Sequence, residues 1–91
     1  MIAIKTVSSG DPFEFEVMVK EGHSETRHRV TMNRATYQRL TGGKATPEQC
    51  IDATFRFLLD QEPKESILST FDVSVVSRFF RNFRDELPNY L

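Results

Sequence analysis

Residues Phe13 to Lys20 alternate in strict two-residue steps. Phe13, Phe15, Val17 and Val19 fall on one face, and Glu14, Glu16, Met18 and Lys20 on the other. That period belongs to a β-strand with one face buried and one face wet. A second strand, Glu25 to Met32, follows after Glu21-Gly22-His23-Ser24, where Gly22 suits a tight primed turn. With Gly22 and His23 as the two loop residues, the register is set. Phe13 faces Met32, Phe15 faces Val30, and Val17 faces His28. On the opposite face Glu16 meets Arg29 and Lys20 meets Glu25. Apolar pairs and charge pairs agree on this register, and a slip of one residue would turn Arg27 or Arg29 onto the phenylalanine face.

The flanking segments complete an expected meander and begin a helical half. Met1 to Val7 alternates around Ile2 and Ile4, and Ser8-Ser9-Gly10-Asp11-Pro12 is a turn cluster. Asn33 can cap a short helix through Tyr37 and Leu40, stopped by Gly42-Gly43. Thr46-Pro47-Glu48-Gln49 starts a second helix: threonine at the cap, proline at the first turn, and Gln49 placed to close a capping box. Its apolar face, with Cys50, Ile51, Thr54, Phe55, Phe57, Leu58 and Leu59, is too broad for a peripheral helix, so a central position is expected up to about Gln61. Pro63 to Phe71 reads as a short helix with Ile67, Leu68 and Phe71 inward. Asp72 can cap a last helix, with Val73, Val76, Phe79, Phe80 and Phe83 recurring in three- and four-residue steps. The β-branched Val73, Val75 and Val76 keep a strand over 72–77 as the alternative. Leu87 to Leu91 is a tail.

The expected fold is therefore α+β, one domain over residues 1–91: a three-stranded antiparallel meander covered on one face by three to four C-terminal helices. The two outer strands would be open edges. Phe15, Val17, Val30, Ile51, Phe55, Leu58 and Phe79 are the expected core. With 38% hydrophobic and 27% charged residues the chain is apolar enough to fold and has no stretch long enough to span a bilayer. The single Cys50 cannot staple so small a domain, and no basic-then-apolar leader opens the sequence, which together point to a cytoplasmic protein.

Net charge is −1, which argues against a bulk electrostatic grip on nucleic acid. The distribution is uneven. Lys20 to Lys44 holds six bases against two acids, and Ala45 to Asp72 holds six acids against two bases. Compensation within the fold is the first reading of this asymmetry, and a basic binding surface is the second.

Chemistry-bearing motifs are sparse. His23, His28 and Cys50 lack the paired short spacings of a zinc site. Thr41-Gly42-Gly43-Lys44 lacks the rest of a phosphate loop and reads as a helix stop. No catalytic residue, metal or cofactor is expected, and no small-molecule ligand is evident. Val73-Ser74-Val75-Val76-Ser77-Arg78 resembles the recognition helix of lactose-repressor-type regulators. It is two residues short between the serines, which turns the base-reading end by about 200° on a helix.

The segment Phe55 to Leu68, continuing through Phe71 to Phe80, resembles small bacterial proteins of an uncharacterised family, and Arg29 to Met32, Tyr37 and Leu40 to Gly43 are similar too. The resemblance implies a free-standing bacterial cytosolic protein and carries no activity, cofactor or functional residue. By elimination the expected function is a non-enzymatic interaction module that binds a protein partner or itself. The alternative is nucleic-acid binding through the basic segment around Arg27 to Lys44. The candidate interaction surface is Arg27, Arg29, Arg34 and Arg39, with Val76, Phe80 and Phe83 as a stripe for a homodimer.

Overall fold

The computed structural model describes all 91 residues. Strands β1 (Ile2–Ser8), β2 (Phe13–Glu21) and β3 (Ser24–Met32) form the meander. The β2–β3 register is the one that charge and hydropathy dictate, from Phe13 opposite Met32 to Glu21 opposite Ser24. Helix α1 (Arg34–Thr41) starts at Asn33, whose side chain accepts from the Thr36 amide, and ends at Gly42 in the left-handed conformation. Helix α2 (Pro47–Gln61) starts with the complete Thr46–Gln49 capping box. No helix is long and apolar enough to cross a membrane.

The sheet has a fourth strand that the three-stranded expectation missed. After a 3-10 turn at Lys64–Ser66, Thr70–Asp72 forms β4, parallel to β3, with Val30 opposite Phe71. The order is β1-β2-β3-β4, so the sheet is mixed and β3 is covered along Arg29–Thr31. A parallel neighbour needs a long crossover, which α1 and α2 provide. The expected helix over 63–71 is cut to one turn, and Leu68, expected inward, is 51% exposed.

Helix α2 is the central layer. Seven of its residues are buried. Phe55 points at the sheet side, with ring centroids 5.3 Å from His28 and 5.9 Å from Phe71. Phe57 points the other way, 5.2 Å from Phe83, 5.8 Å from Phe80 and 5.9 Å from Tyr90. Two residues apart on a helix lie on opposite sides, so one segment packs against both layers of a single core.

The C-terminal stretch covers the outer side of α2 in short pieces. Asp72 caps a 3-10 turn, Val73–Val75, that runs into α3 (Val76–Phe79). Phe80 leaves helical conformation at φ −129° and ψ 98°, and α4 (Phe83–Glu86) begins anew before a last 3-10 turn, Leu87–Tyr90. The break resets the helical phase. Phe79, expected in the core, is 69% exposed, while Phe83 and Leu87 are fully buried. The tail folds back on α2: the Tyr90 hydroxyl donates to Asp60 at 2.5 Å, and Arg56 donates to the Tyr90 carbonyl.

Candidate interaction surface

The four arginines of the basic segment do not form one surface. Arg27 pairs with Glu25 at 3.0 Å. Arg29 lies on the uncovered sheet face and pairs with Glu16 at 3.2 Å and Glu14 at 3.7 Å. Arg34 donates to the Ser9 carbonyl at 2.7 Å and stacks its guanidinium 4.6 Å above the Phe13 ring. Arg27 and Arg29 therefore serve as internal compensation, in exposed pairs of modest energy, and Arg34 is held by the Ser9 carbonyl and the Phe13 ring. Arg39 reaches only the Thr36 hydroxyl, at 3.4 Å, and has no carboxylate partner.

The stripe of Val76, Phe80 and Phe83 is split: Val76 and Phe80 line an apolar groove, and Phe83 faces away from it. Val76 and Phe83 are buried, and Phe80 packs edge-on against Phe57. The break at Phe80 leaves Phe83 in the core and Phe80 half-buried against it.

Exposed apolar surface is found instead around the neighbouring turn. A groove of about 340 Å³ opens between the C-terminal end of α2, the linker after Ser66, β4 and α3. Leu58, Ile67, Phe71 and Val76 form its floor, and Leu68 and Phe79 stand at its walls. The floor is continuous with the main core, whereas the walls are 51% and 69% exposed. Scattered exposed leucines are ordinary, but two large side chains converging on one apolar groove are a contact feature. Glu62 lines the groove and Arg78 adjoins Phe79 on α3. The chain's ion pairs involve Arg27, Arg29, Arg56 and Lys64 only, so Glu62 and Arg78 are both unpaired.

A second concave feature joins residues from the middle and the C-terminal part of the sequence. Arg39 of α1, Arg81 of the turn before α4 and Arg84 of α4 line a cleft of about 310 Å³, with Ser74 and Ser77 on the intervening wall. Arg78, Arg81 and Arg84 recur every third residue, but the helix stops at Phe80 and Arg78 does not line the cleft. The cleft therefore has no signal in local spacing: Arg39 reaches it from α1.

The titratable groups are committed to structure. Cys50 is fully buried, its thiol 3.7 Å from the Met32 sulfur, and burial pushes its pKa up to about 11 against a hydrogen bond from Thr54. A thiol so protonated is a poor nucleophile. Lys64 is buried and pairs with Glu65 at 2.6 Å and Glu21 at 3.7 Å, tying the β2–β3 loop to the linker. The hydrogen bond to Glu65 holds the lysine above its ordinary range and the glutamate below its own. No group of three or more His, Cys, Asp or Glu side chains is brought together. Comparison with known proteins finds no matching family model, no similar curated protein and no matching solved structure.

Proposed function

We propose that this chain is a non-enzymatic, cytosolic interaction module whose partner is a second copy of itself. Leu68 and Phe79 carry this reading, because both are large, exposed and aimed at one apolar groove. Phe79 is a projecting knob beside a hollow, so one surface holds both halves of a contact. A two-fold interface is self-complementary by construction: Phe79 of each copy enters the groove of the other. Glu62 lines the groove and Arg78 adjoins Phe79, and neither has a partner within the chain, so the two are the charges this interface offers for pairing between copies. Opposite charges flanking an apolar centre set register and orientation.

Light scattering at micromolar concentration tests this. The expected mass is twice the 10.5 kDa of the chain. Phe79→Glu returns it to the single-chain value, since a carboxylate cannot be buried unpaired. Arg78→Glu weakens the dimer, and combining it with Glu62→Arg restores it. A single-chain mass for the unaltered protein overturns the proposal, as does a dimer indifferent to Phe79→Glu.

A further inference from the structure

The geometry points to a binding site for a phosphomonoester in the cleft between α1 and the C-terminal stretch, framed by Arg39, Arg81 and Arg84. This cleft shares no lining residue with the apolar groove, because α3 separates them: Val75, Val76 and Phe79 face the groove, and Ser74 and Ser77 face the cleft. The inference is thus independent of self-association.

Three features single the cleft out. The first is uncompensated charge. Three guanidinium groups border one hollow of about 310 Å³, and no acidic side chain lines it. None of the three forms an ion pair, although Asp85 and Glu86 are adjacent in sequence. Arg27, Arg29 and Arg56, by contrast, each pair with a carboxylate. Like charges gathered around a concave surface repel one another and focus a positive potential, both of which a bound anion relieves.

The second feature is donor chemistry. Arginine presents a planar fork that matches two oxygens of a phosphate at once, and three arginines from separate elements line this cleft. The Ser74 and Ser77 hydroxyls add donors at the same wall. A phosphomonoester has three terminal oxygens and nearly two charges at neutral pH, which suits this set better than a planar carboxylate.

The third feature is support. Val73 and Phe83 are fully buried beneath the cleft and Leu40 packs against the core, so the cleft is backed by the core. Thr36 is buried, and the Arg39 guanidinium makes a long contact of 3.4 Å to its hydroxyl. The hollow exceeds a bare phosphate ion and leaves room for part of the group that bears it.

The shared chemistry is the phosphomonoester, whether on a small metabolite or on a phosphorylated side chain of a protein. Titrations of the isotope-labelled protein, followed by amide chemical shifts, distinguish these. The probes are inorganic phosphate, ribose 5-phosphate, and a short peptide with one phosphoserine; ribose and the unphosphorylated peptide are controls. Saturable shifts at Ser74, Ser77 and Arg81 with phosphorylated probes alone are expected. Tighter binding of ribose 5-phosphate assigns a metabolite source, and tighter binding of the peptide a protein source. Arg81→Ala or Arg39→Ala weakens binding about tenfold or more, the loss typical of one charge-assisted contact. Arg84→Lys keeps the charge but loses the fork, and also weakens it. Lys44→Ala, an exposed base elsewhere, leaves affinity unchanged. Absence of saturable shifts overturns the site. So does an equal loss from Lys44→Ala, which would mean diffuse attraction. Preferential, steeply salt-dependent binding of an oligonucleotide without terminal phosphate also overturns it, in favour of a polynucleotide surface.

Discussion

The His28 imidazole donates from Nδ1 to the backbone carbonyl of Leu68, 2.7 Å away and 40 residues along the chain. A carbonyl only accepts, so Nδ1 carries the proton, and in the neutral ring Nε2 accepts from the Thr26 hydroxyl at 2.8 Å. This bond pins the linker against β3 just before β4 begins, and Arg29 continues it by donating its amide to the Ser69 carbonyl at 2.7 Å. With its backbone held inward, Leu68 projects its side chain outward at the apolar groove. One buried histidine thus links the sheet edge to the candidate contact surface.

His28→Ala is expected to lower stability by about 1–3 kcal/mol, because it leaves a carbonyl without its partner in a largely buried setting. The same variant loosens the linker and weakens self-association. Urea unfolding and light scattering check the two effects separately. Unchanged stability would show that water replaces the imidazole at no cost.

Phe55→Ala is expected to destabilise by about 3–5 kcal/mol, the range for a large aromatic removed from a core that cannot collapse. Phe55 is fully buried between His28 and Phe71, on the sheet side of α2. A loss of this size rivals the whole stability of a small domain. Thermal unfolding followed by circular dichroism reads it directly. Phe79→Ala, by contrast, leaves the melting midpoint of the single chain nearly unchanged.

That contrast marks where local pattern stops carrying information. The hairpin register was legible because each pair had to satisfy the pleat and the charges together, as Phe15 with Val30 and Glu16 with Arg29 do. The starts of α1 and α2 were legible because Asn33 and Thr46 complete their hydrogen bonds within three residues. Strand β4 was not. It has three residues, too few to show a period, and its position depends on a histidine 40 residues away. The burial of Phe83 and the exposure of Phe79 were equally hidden, since helical spacing runs unbroken through the sequence while the helix stops at Phe80. The arginine cleft depends on α1 meeting the C-terminal stretch, a tertiary contact with no local signature.

Asp72 makes acid stability the next expectation. Burial pushes its carboxyl up, but Ser74, through side chain and backbone, and Thr31 hydrogen-bond the charged form and leave it below its ordinary value. The Thr31 hydroxyl donates at 2.6 Å and the Ser74 amide at 3.0 Å. A carboxyl depressed by folding adds stability that is fully present above the unfolded pKa, about 3.9, and is lost as pH falls through the folded value. Asp72→Ala removes a cap and should cost about 0.5–2 kcal/mol at neutral pH. The gap between variant and unaltered protein should then close as the solution is acidified below the ordinary aspartate range. Parallel urea titrations across that range check it. A gap that stays constant with pH would mean that Asp72 contributes through packing alone.

Cys50 offers a probe of global opening. Its thiol is fully buried, and Thr54 donates to the Cys50 carbonyl at 2.8 Å within the same turn of α2. With the pKa pushed up to about 11, the thiolate fraction at neutral pH is on the order of one part in ten thousand, against a few per cent for an ordinary thiol. Iodoacetamide should therefore label the native protein only through unfolding, and the labelling rate should rise with urea in step with the unfolded population. Phe55→Ala, by raising that population, should accelerate labelling by the same factor that it lowers the folding equilibrium. Mass spectrometry of quenched samples measures both. Fast labelling of the native chain, insensitive to urea and to Phe55→Ala, would mean that α2 exposes Cys50 by a local motion rather than by opening of the core.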